Sequence, residues 1–148
     1  MKAHAVVLMA LGVTACVPAG GCATYHDPAT GEPAHYGCET LRTKLNADIG
    51  AVYGAARRAT NELHLRVMRA AQDGISGEIL ARDAHRDNVD IQLGALPEGR
   101  TRLTIRVGVF GDKNKSIVLL QRILDNLSRQ ELAAFMPAVE WSRAEVGK

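Results

Sequence analysis

The strongest constraint on the fold is a pair of alternating runs in the second half of the chain. Val89, Ile91 and Leu93 interleave with Asp90 and Gln92, while Leu103, Ile105, Val107 and Val109 interleave with Arg102, Thr104 and Arg106. A period of two sends each set to its own side of a β-strand, so both runs predict strands with one apolar face and one wet face. The short connection around Pro97-Glu98-Gly99 leaves no room for a crossover, which makes the two strands antiparallel neighbours. A sheet of this kind needs a covering layer on its apolar side only.

The remaining pattern supplies both more sheet and the cover. Leu65 to Ala71 and Ile75 to Arg82 read as two further strands, separated by Asp73-Gly74 and followed by the polar turn Asp83 to Asp87. Upstream, Leu41, Thr43 and Leu45 alternate with Thr40, Arg42 and Lys44, the pattern of a half-buried first strand. Asn46 or Asp48 can then cap a helix in which Ile49, Val52, Tyr53, Ala56, Thr60 and Leu63 recur at helical spacing. Gly50 and Gly54 weaken that helix by up to about 1 kcal/mol each relative to Ala, so packing must stabilise it.

After Gly111, Asp112 can cap a second helix with Ile117, Leu120, Ile123, Leu124 and Leu127 as its apolar stripe, widened by Val118 and Leu119. Ser128 and Glu131 match a capping box for a short third helix through Leu132, Phe135 and Met136, stopped by Pro137. This last segment is expected to fold back over Val118 and Leu119. The fold class is therefore α+β: two layers, with an antiparallel sheet of about five strands in the order strand, helix, four-strand meander, helix.

At 148 residues, with 47% hydrophobic and 23% charged, the chain has material for one domain and one modest core. A net charge of +2 and only 4% aromatic residues exclude the concentrated basic and stacking surface that nucleic-acid binding requires.

The N-terminus carries a different kind of signal. Lys2 precedes an apolar run, Ala5 to Leu11, and the uncharged stretch that follows is broken by Gly12, Thr14, Pro18, Gly20 and Gly21. That layout is a secretory signal peptide rather than a membrane-spanning helix of about 20 apolar residues. Val13-Thr14-Ala15-Cys16 resembles a bacterial lipobox, which implies cleavage after residue 15 and acylation of Cys16; Ala19-Gly20-Gly21-Cys22 is the alternative, with Cys22 acylated. Neither cysteine is followed by Asp, which resembles the outer-membrane class of lipoprotein sorting. The expected location is the cell envelope, lipid-anchored in the outer membrane and facing the periplasm.

Three cysteines in an exported chain leave two once one is acylated, so Cys22 and Cys38 are expected to form a disulfide. Pro18, Gly20, Gly21, Pro28, Gly31, Pro33 and Gly37 make residues 16–38 read as a flexible tether. The domain then covers 39–128, and 129–148 hold the short helix and a loose tail.

From Cys38 to Leu127 the pattern resembles an uncharacterised family of small bacterial lipoproteins, domain of unknown function 3568. The resemblance rests on a lipobox, a small-residue spacer, a strand and helix, and a meander ending in Ile105-Arg106-Val107-Gly108-Val109-Phe110-Gly111-Asp112, then Ser116 and an aliphatic helix. It implies location and fold, and no catalytic residue. The helix laid across a sheet is also similar, at the level of fold, to helix-grip domains of accessory lipoproteins in outer-membrane protein assembly. The long tether with Cys22 and Cys38, and the extension beyond Ser128, depart from the family pattern.

Four features are candidate sites. Gly111, Asp112, Lys113 and Ser116 stand where a strand meets a helix N-terminus, a place able to hold an anion or a partner. A phosphate loop would need glycine where Asn114 stands, and the plainer reading is a tight turn capped by Asp112 with Phe110 as a plug between sheet and helix. Cys22, His26, His35 and Cys38 contain metal-ligand chemistry, but in an exported, glycine-rich segment the cysteines favour a disulfide, so no metal or other cofactor is assigned. Arg66, Arg82, Arg102 and Arg106, among Glu78, Asp90, Gln92 and Thr104, should populate the wet sheet face. That face reads either as a docking surface for peptidoglycan, acidic headgroups or an envelope protein, or as an ordinary solvated surface. The Val118 and Leu119 excess on the second helix is the fourth, a ridge the third helix would cover. Gly-x-Ser-x-Gly is absent and no acid–base pair is visible, so the expectation is an envelope structural or interaction module rather than an enzyme. The competing expectation is a periplasmic protein that binds a small ligand or a metal.

Overall fold

The alternating runs form the sheet they predict, and the computed structural model describes residues 23–26 and 33–135. In chain order the elements are β1 (Ala23–His26), β2 (Pro33–Gly37), β3 (Thr40–Leu45), α1 (Ile49–Glu62), β4 (Arg66–Gln72), β5 (Ser76–Arg82), β6 (Asn88–Leu96), a turn at Pro97–Gly99, β7 (Arg100–Val107) and α2 (Lys113–Phe135). They make a seven-stranded sheet in the order β1-β2-β3-β7-β6-β5-β4, antiparallel at every pairing. One row of partners crosses it from edge to edge: Ala23, Tyr36, Leu41, Ile105, Ile91, Ile79 and Ala70.

Both helices lie on one face of the sheet, α1 over β4 to β7 and α2 over β3 and β7, and they pack against each other. Leu41, Ile79, Ile91, Leu103 and Ile105 from the sheet meet Leu119, Leu120 and Ile123 from α2, all buried. Each such side chain contributes about 1.5–3 kcal/mol by leaving water. The buried stripe of α1 is small, Val52 with Ala55, Ala56 and Ala59, so this helix approaches the strands closely. Asp48 caps it, accepting the N–H groups of Gly50 at 2.8 Å and Ala51 at 3.1 Å.

The α+β, two-layer class is as expected, but the sheet has seven strands instead of about five. The two extra strands come from residues assigned to the tether. Ala34 is buried and Tyr36 half-buried beside Leu41, while Cys38 and Glu39 turn the chain with φ of 49° and 64°. Their positive φ gives the tight hairpin turn whose twist matches that of its strands.

The C-terminal reading also changes. Ser128 caps nothing: its hydroxyl donates to the carbonyl of Leu124 at 3.1 Å inside a continuous helix. With α2 unbroken to Phe135, the Leu132 segment does not return over Val118. Leu119 is already in the core, while Val118 and Leu132 are 50% and 63% exposed. Met136, Pro137 and the expected tail lie outside the described residues.

Candidate interaction surface

Strand alternation sends the side chains between the core residues to the uncovered face. His35 on β2, Arg42 and Lys44 on β3, and Arg102 and Arg106 on β7 share it, with Arg42 paired across the strands to His35 and Thr104, and Lys44 to Arg102. Farther along are Arg82 and Glu78 on β5 and Arg66 and Arg69 on β4. Some of this charge is neutralised locally: Arg69 meets Glu78 at 3.5 Å, Arg100 meets Glu98 at 3.0 Å, and Arg106 meets Glu39 at 3.4 Å. Arg42, Lys44 and Arg102 have no ion-pair partner among the described residues. With His35, Pro33 and Thr43 they border a shallow depression of about 320 Å³. Like charges directly opposed on a sheet are unfavourable, so Lys44 beside Arg102 is a feature that stability alone does not select.

The face's inner carboxylate reinforces the asymmetry. Burial pushes the Asp90 carboxyl above its ordinary value and the Glu78 charge pushes the same way, against the hydrogen bond from Gln92. Gln92 donates to Oδ2 at 3.2 Å, whereas Oδ1 has no partner among the described residues.

The strand-to-helix turn is fully used by the fold itself. The N–H of Gly108 donates to Asn88 at 2.7 Å and that of Asp112 to Val107 at 2.8 Å, closing the turn. Gly111 has φ of +72°, and a Cβ there would overlap the carbonyl of Glu39 and stand 2.6 Å from the Tyr36 hydroxyl. This close approach seats the turn on the β2–β3 hairpin, where burial, Asp112 and Glu39 together hold the Tyr36 phenol above its usual pKa. Asp112 accepts the N–H of Lys115 at 3.0 Å, and the buried Ser116 hydroxyl donates to the Asp112 carbonyl at 2.7 Å. The helix N-terminus thus carries its own anion, and of the four loop residues expected to hold an anion or partner, Lys113 is the exposed one. Phe110 is no plug. Strand β7 ends at Val107, and the turn swings Val109 and Phe110 into solvent, 70% and 84% exposed.

One cluster escaped the sequence. Lys115 reaches Asp83 at 2.8 Å and Asp87 at 3.0 Å, tying α2 to the β5–β6 turn. These hydrogen bonds raise the ammonium's pKa and hold Asp83 below the usual carboxylate value. In the sequence Asp83 shows only turn chemistry, and its distance along the chain from Lys115 leaves no periodic signal. Beside the cluster, Leu63, Leu65, Val89, Val107, Val118 and Leu119 line an apolar groove of about 320 Å³.

Cys38 is exposed at its turn. Cys16 and Cys22 lie outside the described residues, and with them the acylation site and the Cys22–Cys38 pairing. His35 stands opposite Thr24, and His26 opposite Pro33. Among the described residues no group of three or more His, Cys, Asp or Glu side chains could hold a metal ion, and no helix is long and apolar enough to cross a membrane.

The described residues thus form a two-layer α+β domain whose open sheet face carries arginine and lysine side chains. The chain itself belongs to the family of proteins of unknown function DUF3568, which it matches over residues 4–126. The match begins in the N-terminal apolar segment and ends within α2, before the Ser128 extension. A comparison with curated proteins gives no match.

Proposed function

We propose that the protein is a lipid-anchored lipoprotein of the bacterial cell envelope, acting by tethering and recruitment rather than by catalysis. Acyl chains on Cys16 would fix it to the outer membrane on the periplasmic side. The basic patch of Arg42, Lys44 and Arg102 would recruit an acidic envelope protein or peptidoglycan. The observation that carries the anchoring is Val13-Thr14-Ala15-Cys16 behind Lys2 and an apolar run. That the family match includes this segment together with the domain supports it. Buried acyl chains contribute about 0.8 kcal/mol per methylene, so two or more hold a protein on a bilayer durably.

Intact mass and membrane fractionation of the protein expressed with its own N-terminus in a Gram-negative host test this reading. Wild type and Cys22→Ala should give a chain beginning at Cys16 plus acyl mass, and Cys16→Ala should give none. An unacylated wild-type chain would overturn the anchor.

The apolar groove beside Lys115 favours a second reading, binding of a small apolar ligand. Retention of an apolar fluorophore, lost in Val118→Gln, would favour it.

A further inference from the structure

Val109 and Phe110 are adjacent, apolar and 70% and 84% exposed, and no feature of the proposed recruitment uses them. A turn of this kind can be made from polar residues, which leave no apolar surface in water. Their backbone is firmly held: Arg106 donates to the Val109 carbonyl at 2.8 Å, the Gly108 and Asp112 N–H groups close the turn, and Gly111 lies against Tyr36 and Glu39. The two side chains therefore stand on a preorganised tip, which reduces the ordering cost of any contact they make.

The register shows what lies at that end. Ala23 pairs with Tyr36, Tyr36 with Leu41, and Leu41 with Ile105, each antiparallel. β1 consequently runs opposite to β7, and the chain reaches Ala23 from the same end at which β7 gives way to Val109 and Phe110. Residues 17–22 separate Cys16 from Ala23. The seven steps from Cys16 to Ala23 span at most about 25 Å, so an anchor on Cys16, or on the nearer Cys22, holds the membrane close to this end. Arg86, in the β5–β6 turn, and Lys113, at the start of α2, are exposed there as well.

Resting on the anchoring reading above, we infer that Val109 and Phe110 insert into the interfacial layer of the bilayer that holds the chain, with Arg86 and Lys113 against acidic headgroups. The domain stands end-on as a result. Its strands point away from the membrane, and the basic sheet face is left open sideways to a partner.

The test uses the full chain purified from membranes with its native N-terminus and mixed into phosphatidylethanolamine–phosphatidylglycerol vesicles. In a Trp141→Phe background, which removes the chain's own tryptophan, Phe110→Trp places a reporter at the tip, and Ile75→Trp, in a separate variant, places one at the opposite end, where Ile75 is 75% exposed. Insertion into the vesicles should blue-shift the tip reporter, lipids brominated on the acyl chains should quench it, and both should leave the distal reporter unchanged. Val109→Ser beside Phe110→Trp should weaken the quenching by on the order of ten-fold. Equal quenching of both reporters, or iodide access to the tip as free as to the distal end, overturns the insertion. A concentration-dependent shift without vesicles assigns the tip to a second copy and overturns it too. Intact mass on the same sample separates the two ideas: an acylated chain with a wet tip sinks this inference and leaves the anchor standing. An unacylated chain sinks the anchor, while the quenching still decides the tip.

Discussion

Gly111 and Asp112 are neighbours with different degrees of sequence legibility. Capping is local, so Asp112 could be placed at the helix start from its position alone. What Gly111 touches is settled by a hairpin some seventy residues earlier, and the sequence holds no trace of it; the outward throw of Phe110 was illegible for the same reason. Gly111→Ala forces a Cβ into Glu39 at positive φ, and should cost about 3 kcal/mol in a denaturant melt. Asp112→Ala loses one cap and should cost about 1 kcal/mol. Asp90 gives a pH signature. Its pKa is raised in the folded state, so the folded chain binds the proton more tightly than the unfolded chain, and stability falls as pH climbs from the ordinary carboxylate value through the raised one. Asp90→Asn keeps an acceptor for Gln92 and should flatten that decline, melting above wild type at pH 7 and level with it at pH 3.

At the level of elements, what the sequence concealed was concealed by ambiguity. Pro33-Ala34-His35-Tyr36-Gly37 is too short and too rich in turn formers to read as a strand beside so many other glycines and prolines. Only pairing with β3 and burial of Ala34 make it one. Pro33 fits because it is the strand's first residue, where a missing N–H is tolerated. The Ser128–Glu131 spacing was misleading in the opposite sense, since the same four residues serve equally as a cap or as the exposed side of a longer helix. By contrast, β5, β6 and β7 alternate for long enough that the pattern leaves one solution. Ala34→Asp would bury a carboxylate and detach the hairpin while sparing the meander. Hydrogen exchange should accelerate on the order of 100-fold across residues 33–37 and stay unchanged across β5 and β6.

For the whole molecule, net charge is a poor guide to the surface. The chain carries only +2, yet helices cover one face of the sheet and the other collects most of the strand arginines, an asymmetry visible only once alternation is folded into a sheet. Segregated charge of this kind sets up a local field that the total does not report. Arg42→Gln, Lys44→Gln and Arg102→Gln together should leave a cation exchanger at much lower salt than wild type. Arg57→Gln, Arg58→Gln and Lys113→Gln remove the same amount of charge and should shift elution less.

The strand order carries one more consequence, for the chain as it is made. The N-terminal hairpin and β3 are synthesised first, but the neighbour that closes β3 is β7, the last strand of the sheet. Leu41 waits for Ile105, and the carbonyl of Ala47 waits for the hydroxyl of Thr101, which donates to it at 2.8 Å across 54 residues. Such distant pairings close slowly, because the intervening loop must lose its freedom before any contact rewards it. Until the final strand emerges, the growing chain exposes an open apolar edge, and that interval is when this protein most needs protection from its neighbours.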